Sequence, residues 1–241
     1  VEPIPARHLA PPQKSEMFAP ETPFPPDDRS FGWERGTTIS KAWDQSTTDA
    51  AIETATYVSS RLNELAGTKD GEKDRDAKLK SFVARFAERA FRRPLTPEVK
   101  TAYVDRVFES SPDPETGVRR AILMILKSPR FLYREVGGGP DGYDVAARLA
   151  FALWDSIPDA DLLKAAAANQ LATKEQVAKQ AERMLKDERA KAKLRGFLLT
   201  WTKADHPPDM AKDPKKYPGF TPEIAADLRA SLGLALDDAI W

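Results

Sequence analysis

The fold class is decided by the stretch Leu79-Lys80-Ser81-Phe82-Val83-Ala84-Arg85-Phe86-Ala87-Glu88-Arg89-Ala90-Phe91. After Leu79, apolar residues recur at the third, fourth, seventh, eighth, eleventh and twelfth positions. A helix places these positions on one face, whereas a strand cannot. Arg92 and Arg93 follow, where cations complement the helix dipole, and Pro94 then stops the helix. The stretch therefore predicts an amphipathic helix with one buried face.

Similar patterns extend along the chain. Thr96-Pro97-Glu98 restarts the helix with a cap, a proline at the first helical position and an acid in the first turn, and Thr221-Pro222-Glu223 repeats this pattern. Thr173 and Gln176 have the spacing of a capping box. Other helices are predicted over 47–65, 117–127, 144–154 and 160–169 and after Asp187. The prediction is an all-α chain, with a short strand over 36–40 as its one β element.

Composition divides the chain into three parts. Residues 1–46 form a Pro-rich extended N-terminal arm, and Phe18, Phe24, Phe31 and Trp33 favour an arm lying on a surface over a flexible leader. Residues 47–136 form a helical bundle and residues 143–241 a second helical domain. The Gly-rich run over 137–142 is a hinge, because a phosphate loop needs a strand before it and a Lys-Ser/Thr after it.

Charge and residue usage exclude several function classes. The 37 Lys and Arg residues balance 37 Asp and Glu residues, which argues against nucleic acid as a partner. No cysteine is present, so disulfides, zinc–thiolate sites and covalent c-type haem attachment within this chain are excluded. No apolar run approaches the roughly 18 residues of a membrane span.

Four ordered segments, or words, carry a family resemblance. They are Phe91-Arg92-Arg93-Pro94-Leu95-Thr96, Ser128-Pro129-Arg130-Phe131-Leu132-Tyr133-Arg134, Arg148-Leu149-Ala150-Phe151-Ala152-Leu153-Trp154-Asp155-Ser156-Ile157-Pro158-Asp159 and Arg183-Met184-Leu185-Lys186-Asp187-Glu188-Arg189-Ala190. In these words the chain resembles a family of exported proteins of unknown function that is abundant in planctomycetes and also occurs in myxobacteria.

The resemblance implies a setting for the protein. It implies an exported chain, periplasmic or extracellular, and often a c-type cytochrome module bearing Cys-x-x-Cys-His. Because this chain has no cysteine, no cofactor is predicted in it, and a haem belongs to a partner chain or a missing segment. The helical pattern stops at Trp241 without a cap. We expect the second domain to be incomplete there, and another protein chain to cover the C-terminal helix.

Two groups of residues are candidate sites. His206, with Asp209 and Met210 nearby, is either a haem or metal ligand or an exposed loop histidine. The residues near the hinge are either a ligand site, in which Arg grips a carboxylate and Trp stacks on a sugar, or a salt-bridge network. This second group comprises Arg130, Arg148, Trp154 and Asp155.

Two functions follow from these observations. The first is a structural or interaction subunit of a larger exported assembly, for which the resemblance implies a link to a cytochrome, with no catalysis assigned. The second is a polysaccharide-acting enzyme or glycan-binding module with its site at the hinge. Trp154 and Trp201 lie on apolar helix faces and are predicted core, while Trp33 and Trp43 stay open as stacking residues.

Overall fold

The computed structural model describes residues 18–25, 40–133, 141–202, 212–213 and 215–241. These residues form helices and no strand, so the all-α prediction is confirmed. The proposed strand at 36–39 lies outside the described residues. The helices are α1 (Lys41–Ser60), α2 (Leu62–Ala66), α3 (Arg75–Phe91), α4 (Pro97–Lys100), α5 (Arg106–Glu109), α6 (Pro114–Leu126), α7 (Pro129–Leu132), α8 (Gly142–Trp154), α9 (Ala160–Ala167), α10 (Lys174–Met184), α11 (Glu188–Trp201) and α12 (Pro222–Ile240).

The chain divides into two compact units, Val1–Val136 and Gly137–Trp241. In the first unit, α1 and α3 both pack on α6. The side chains of Leu79, Val83 and Ala87 are fully buried, on the face that periodicity predicts. They join one core with Ile122 and Ile125 of α6. Each large aliphatic side chain buried there contributes about 1.5–3 kcal/mol, so α3 is held mainly by packing.

The first helix begins earlier than predicted. A start at Thr47 or Thr48 is wrong, because the Ser40 hydroxyl accepts a hydrogen bond from the Trp43 backbone N–H and caps α1 seven or eight residues upstream. The predicted single helix to Leu65 is also two helices, because α1 ends at Ser60; the expected stop at Gly67, which has a φ of +65°, ends α2. Sequence reasoning missed Ser40 because the first turn of α1 is polar and mostly exposed.

A short segment of the arm, residues 18–25, lies along α1. The Phe18 ring stacks on Tyr57, with centroids 4.2 Å apart and planes 13° apart. The Glu53 carboxylate accepts hydrogen bonds from the Glu21 backbone N–H, at 2.7 Å, and from the Thr22 hydroxyl. The pKa of Glu53 lies below its ordinary value, chiefly because of the Thr22 hydroxyl. One carboxylate thus anchors this part of the arm.

The helix after Pro94 follows its predicted start. Thr96 accepts from the Val99 backbone N–H, and Pro97 occupies the first turn. Between α4 and α5 the backbone adopts a π-helical stretch, Thr101–Asp105. This wide turn carries Tyr103, whose hydroxyl lies 2.8 Å from that of Ser128, the residue that caps α7.

The second unit is built on α8, which packs against α9, α10 and α11, while α12 packs on α11. Asp141 caps α8 in a reciprocal capping box with Asp144. Gly142 opens this helix, and a Cβ there would come 3.1 Å from the Ala166 carbonyl oxygen of α9. Glycine at this position therefore permits close packing of two helices. Of the predicted hinge, residues 137–140 lie outside the described residues.

Candidate functional site

The first unit contains a buried arginine just after α3. Arg92 ends this helix in the left-handed conformation, with a φ of +61°, and is 5 % exposed. Glycine is the usual residue at such a helix end, since a side chain there costs about 1–2 kcal/mol. A non-glycine residue in this conformation needs compensation from its side chain.

The Arg92 guanidinium supplies that compensation by binding backbone carbonyls. Its Nη2 donates to the carbonyl oxygens of Arg130, at 2.8 Å, and Tyr133, at 2.7 Å. Its Nη1 donates to those of Phe131, at 3.2 Å, and Ala90, at 3.1 Å. Three of these acceptors lie at the C-terminal side of α7, where helical carbonyls lack partners within the helix. We call this arrangement the Arg92 clasp.

The start of α7 is anchored by a second contact. The Tyr103 hydroxyl and the buried Ser128 hydroxyl lie 2.8 Å apart, and Ser128 also caps α7 by accepting from the Arg130 backbone N–H at 3.2 Å. The Tyr103 ring meets Phe91 edge to face, with centroids 5.1 Å apart. Both ends of α7 are therefore fixed to the helices around it.

In the second unit, contacts around Trp154 hold α8, α10 and α11 together. This side chain is 4 % exposed, and its indole N–H donates to the Met184 carbonyl oxygen at 3.0 Å. The guanidinium carbon of Arg189 lies 3.6 Å from the ring centroid and that of Arg183 lies 5.7 Å away. Burial and these two cations leave no open ring face for a sugar, so the interpretation of Trp154 as core holds.

Asp159 completes the same set of contacts. Its carboxylate accepts from both terminal nitrogens of Arg183, at 2.8 and 3.1 Å, and from the Leu162 backbone N–H at 2.8 Å, which caps α9. Burial raises the pKa of Asp159, but the Arg183 and Leu162 hydrogen bonds, with the charge of Arg189, outweigh burial and lower it. This stabilisation is complete above the unfolded pKa of about 3.9 and is lost as the pH falls through the folded pKa.

The remaining predicted site residues have simple surroundings. Arg130 is exposed in the first unit, and its backbone carbonyl is bound by Arg92. Arg148 is exposed on α8 and has interactions within the protein. The Asp155 carboxylate, at the end of α8, pairs with Lys193 of α11. Since Arg130 belongs to one unit and the other three to the next, the four-residue hinge site stays a prediction. His206 lies outside the described residues.

The described ranges lack a cluster of metal ligands but contain a notable surface cleft. No group of three or more His, Asp or Glu side chains there is arranged to hold a metal ion. A surface cleft of about 450 Å³ lies between α2, α3 and α6. Its Arg75 pairs with Glu115 and, at 3.3 Å, with Asp70, and donates to Asn63. These contacts join the cleft's own walls, which is a structural role.

The largest unexplained feature is an apolar surface on α11 and α12. Trp201 is 72 % exposed, so its prediction as core is wrong, and Phe197 beside it is 58 % exposed. Their rings lie 6.2 Å apart with planes at 13°. We call the exposed apolar side chains of these helices the α11–α12 surface; it comprises Phe197, Trp201, Ile224, Leu228, Leu232, Leu234 and Trp241. Large exposed apolar patches mark interaction sites.

The fold and these contacts define an all-α protein of two units. Its most conspicuous feature without a role in the fold is the α11–α12 surface. Comparison with known families agrees with this division. Residues 78–135, in the first unit, match the family described as "PSD5: Protein of unknown function (DUF1595)", and residues 141–241, in the second, match "PSD4: Protein of unknown function (DUF1592)". The chain therefore carries two domains from families of unknown function. No curated protein and no solved structure matches it.

The matched ranges contain the four words quoted from the sequence, but the matches do not test the words individually. Two of the words lie mostly or wholly within 78–135, and two within 141–241. In the structure, the first pair is joined by the Arg92 clasp, and the second pair by Trp154, Asp159 and Arg183. Each pair of words thus forms one set of contacts between helices, which is a role in folding.

Proposed function

We propose that this protein is a structural or interaction component of a larger assembly, to which it docks through the α11–α12 surface. The observation that carries the proposal is the exposure of Trp201, at 72 %, and of Phe197, at 58 %, on α11. Leaving such rings in water costs free energy that contact with another protein recovers, at about 25 cal/mol per Å². The polar residues described above, such as Arg92 and Asp159, make contacts that stabilise the fold.

The setting of the assembly is part of the proposal. The resemblance to exported proteins supports a location outside the cytoplasm and a link to cytochromes. Any c-type haem then belongs to a partner chain or to a segment outside this sequence, because these residues offer no cysteine for covalent attachment. Within the described part of the chain, no helix combines the length and apolar character that a membrane crossing requires.

The test is the mass of the protein in its native state. The tagged chain, expressed at its natural level and released gently from its source, is measured by size exclusion with light scattering. We expect a particle well above the 26.8 kDa of the chain. The double variant Phe197→Glu with Trp201→Glu is expected to run as the monomer.

The matched control is Ile52→Glu, which alters a side chain of α1 that is 44 % exposed in the other unit. It is expected to leave the large particle intact. A wild-type chain that is monomeric in the native extract would refute the proposed function. A particle that the Phe197 and Trp201 variants leave unchanged would refute the assigned surface.

A glycan-binding module is the second candidate, and one observation favours it. The exposed, nearly parallel rings of Phe197 and Trp201 offer the stacking surface that buried Trp154 does not. Sugar sites also need polar groups converging on the ligand, so this candidate ranks below the first. Calorimetric titration with soluble oligosaccharides tests it: saturable binding that Trp201→Ala abolishes would favour the glycan module.

A further inference from the structure

Helix α12 turns its small and polar residues toward α11. Ala225 is buried, and the Asp237 carboxylate pairs with Arg195 of α11, whose Nε donates at 2.9 Å. A Cβ on Gly233 would lie 3.8 Å from the Arg195 side chain. Lys191 lies 5.8 Å from the Trp241 ring centroid, over the end of the helix. This inner face also carries the half-buried Leu236 and Ile240, so α12 is held by aliphatic as well as polar contacts.

Three large aliphatic residues of α12 lie exposed on a different face. Ile224, Leu228 and Leu232 are 40 %, 52 % and 38 % exposed, and Ala235 and Ala239 are exposed beyond them. Their spacings are four, four, three and four residues, which keeps them on one line along a helix. We call this line the outer stripe. It runs for about 22 Å, at 1.5 Å per residue.

The spacing of the outer stripe suits a helix as its occupant. Rows of residues three and four apart form the ridges and grooves by which helices interlock. The leucines fill the N-terminal half, while Ala235 and Ala239 allow a closer approach in the C-terminal half. An extended peptide would need unpaired backbone groups of a sheet edge, and a helix has none to offer.

Charge beside the outer stripe selects the kind of helix. Asp227, Ser231 and Asp238 border the stripe on its solvent side, and all three are exposed. Arg229, the one basic residue of α12, lies instead on the half-buried inner face. A helix with Lys or Arg beside its apolar residues complements this acidic edge. A second copy of α12 packed antiparallel would bring aspartates together, which is unfavourable.

We propose that the outer stripe of α12 binds an amphipathic helix of a partner polypeptide that carries Lys or Arg along one side of its apolar face. This inference rests on the proposed function, because it names the chemistry of the partner in the assembly. Apolar contact with Leu228 and Leu232 supplies the affinity. Asp227 and Asp238 select the partner and orient it.

The probes are two labelled helical peptides of about 18 residues, enough for a marginally stable helix. Both have the same leucine stripe, flanked by Lys in one and by Glu in the other. Binding to the full chain is followed by fluorescence anisotropy at low and high salt. We expect the Lys peptide to bind about tenfold more tightly than the Glu peptide at low salt, and this preference to shrink at high salt.

Two variants locate the binding on the stripe. Leu228→Glu with Leu232→Glu is expected to weaken both peptides by more than about 30-fold, since two aliphatic contacts are lost. Asp227→Lys with Asp238→Lys is expected to reverse the preference between peptides. All four positions are substantially exposed, so the fold is retained, and circular dichroism checks this. The control is Met124→Glu on α6, at a residue that is 45 % exposed.

Other outcomes overturn the proposal. Equal binding of the two peptides, or binding that the leucine variants leave unchanged, contradicts a selective stripe. A dimer of the chain in sedimentation equilibrium that Leu232→Glu dissociates would make a second copy the occupant. A large native particle together with no peptide binding refutes this inference alone, whereas a monomeric native chain refutes the proposed function beneath it.

Discussion

Replacing Arg92 by alanine is expected to destabilise the first unit by about 3–5 kcal/mol, because several buried carbonyls lose a charged donor and each unsatisfied buried acceptor costs about 1–3 kcal/mol. Hydrogen bonds from a charged donor contribute about 1.5–3 kcal/mol each, and the structure gives Arg92 four carbonyl acceptors. Desolvating the guanidinium offsets several kcal/mol of that gross gain. The carbonyls at the end of α7 lose a buried donor in the variant, which places the net loss in this range.

Two further substitutions separate the side chain from the backbone. Arg92→Gly is expected to be about 1 kcal/mol less harmful than Arg92→Ala, because glycine adopts the φ of +61° without strain. Arg92→Lys keeps the charge but has no planar fork to reach several carbonyls together. We expect it to recover less than half of the lost stability.

The assay is hydrogen exchange measured by mass spectrometry in the native state, because two units need not unfold together. Amides of α3 and α7 report the first unit. The control is Arg89→Ala, an exposed arginine in the last turn of the same helix, which is expected to cost at most about 1 kcal/mol. If Arg92→Ala stays within about 0.5 kcal/mol of the wild type, the clasp does not stabilise the unit and this reasoning is wrong.

Three more predictions concern other contacts. Asp159→Asn is expected to weaken the second unit at neutral pH and to flatten its loss of stability below about pH 4, as urea titrations at several pH values would measure, because a lowered pKa stabilises only above it. Gly142→Ala is expected to cost about 1–3 kcal/mol in thermal unfolding, since its Cβ meets the Ala166 carbonyl at 3.1 Å; an unchanged melting temperature would contradict this. Glu53→Ala is expected to speed proteolysis within residues 18–25, while Glu182→Ala, an exposed carboxylate on α10 of the second unit, leaves the cleavage rate unchanged.

Much of the fold was open to prediction from local pattern. The stripe from Leu79 to Phe91, the Thr96 cap and the Thr173 capping box are all visible in sequence, because each depends on residues a few positions apart. The pairing of Asp159 with Arg183 spans 24 residues, and spacing gives no sign of it. Tertiary packing decides such contacts, and no local rule contains it.

Two residues show where local pattern misleads. A cation at a helix end is explained by the helix dipole alone, so nothing in the sequence indicates that Arg92 is buried. A helix that stops before a proline and has no glycine at its end does, however, indicate a non-glycine residue in the left-handed conformation. Periodicity placed Trp201 on an apolar face, and that is correct. It could not say whether anything within the chain covers that face, and α11 leaves the ring 72 % exposed.

The Arg92 clasp also determines how the first unit bears mechanical load. Tyr133 is the last described residue of that unit, and its carbonyl is bound by a side chain rooted in the end of α3. A pull applied to the chain at Tyr133 is therefore transmitted to the longest buried helix face of the bundle as well as to the four residues of α7. Single-molecule stretching should register this as a higher rupture force in the wild type than in Arg92→Ala. Arg92, at a position where glycine is usual, is thus expected to carry part of the force applied to the chain that follows Tyr133.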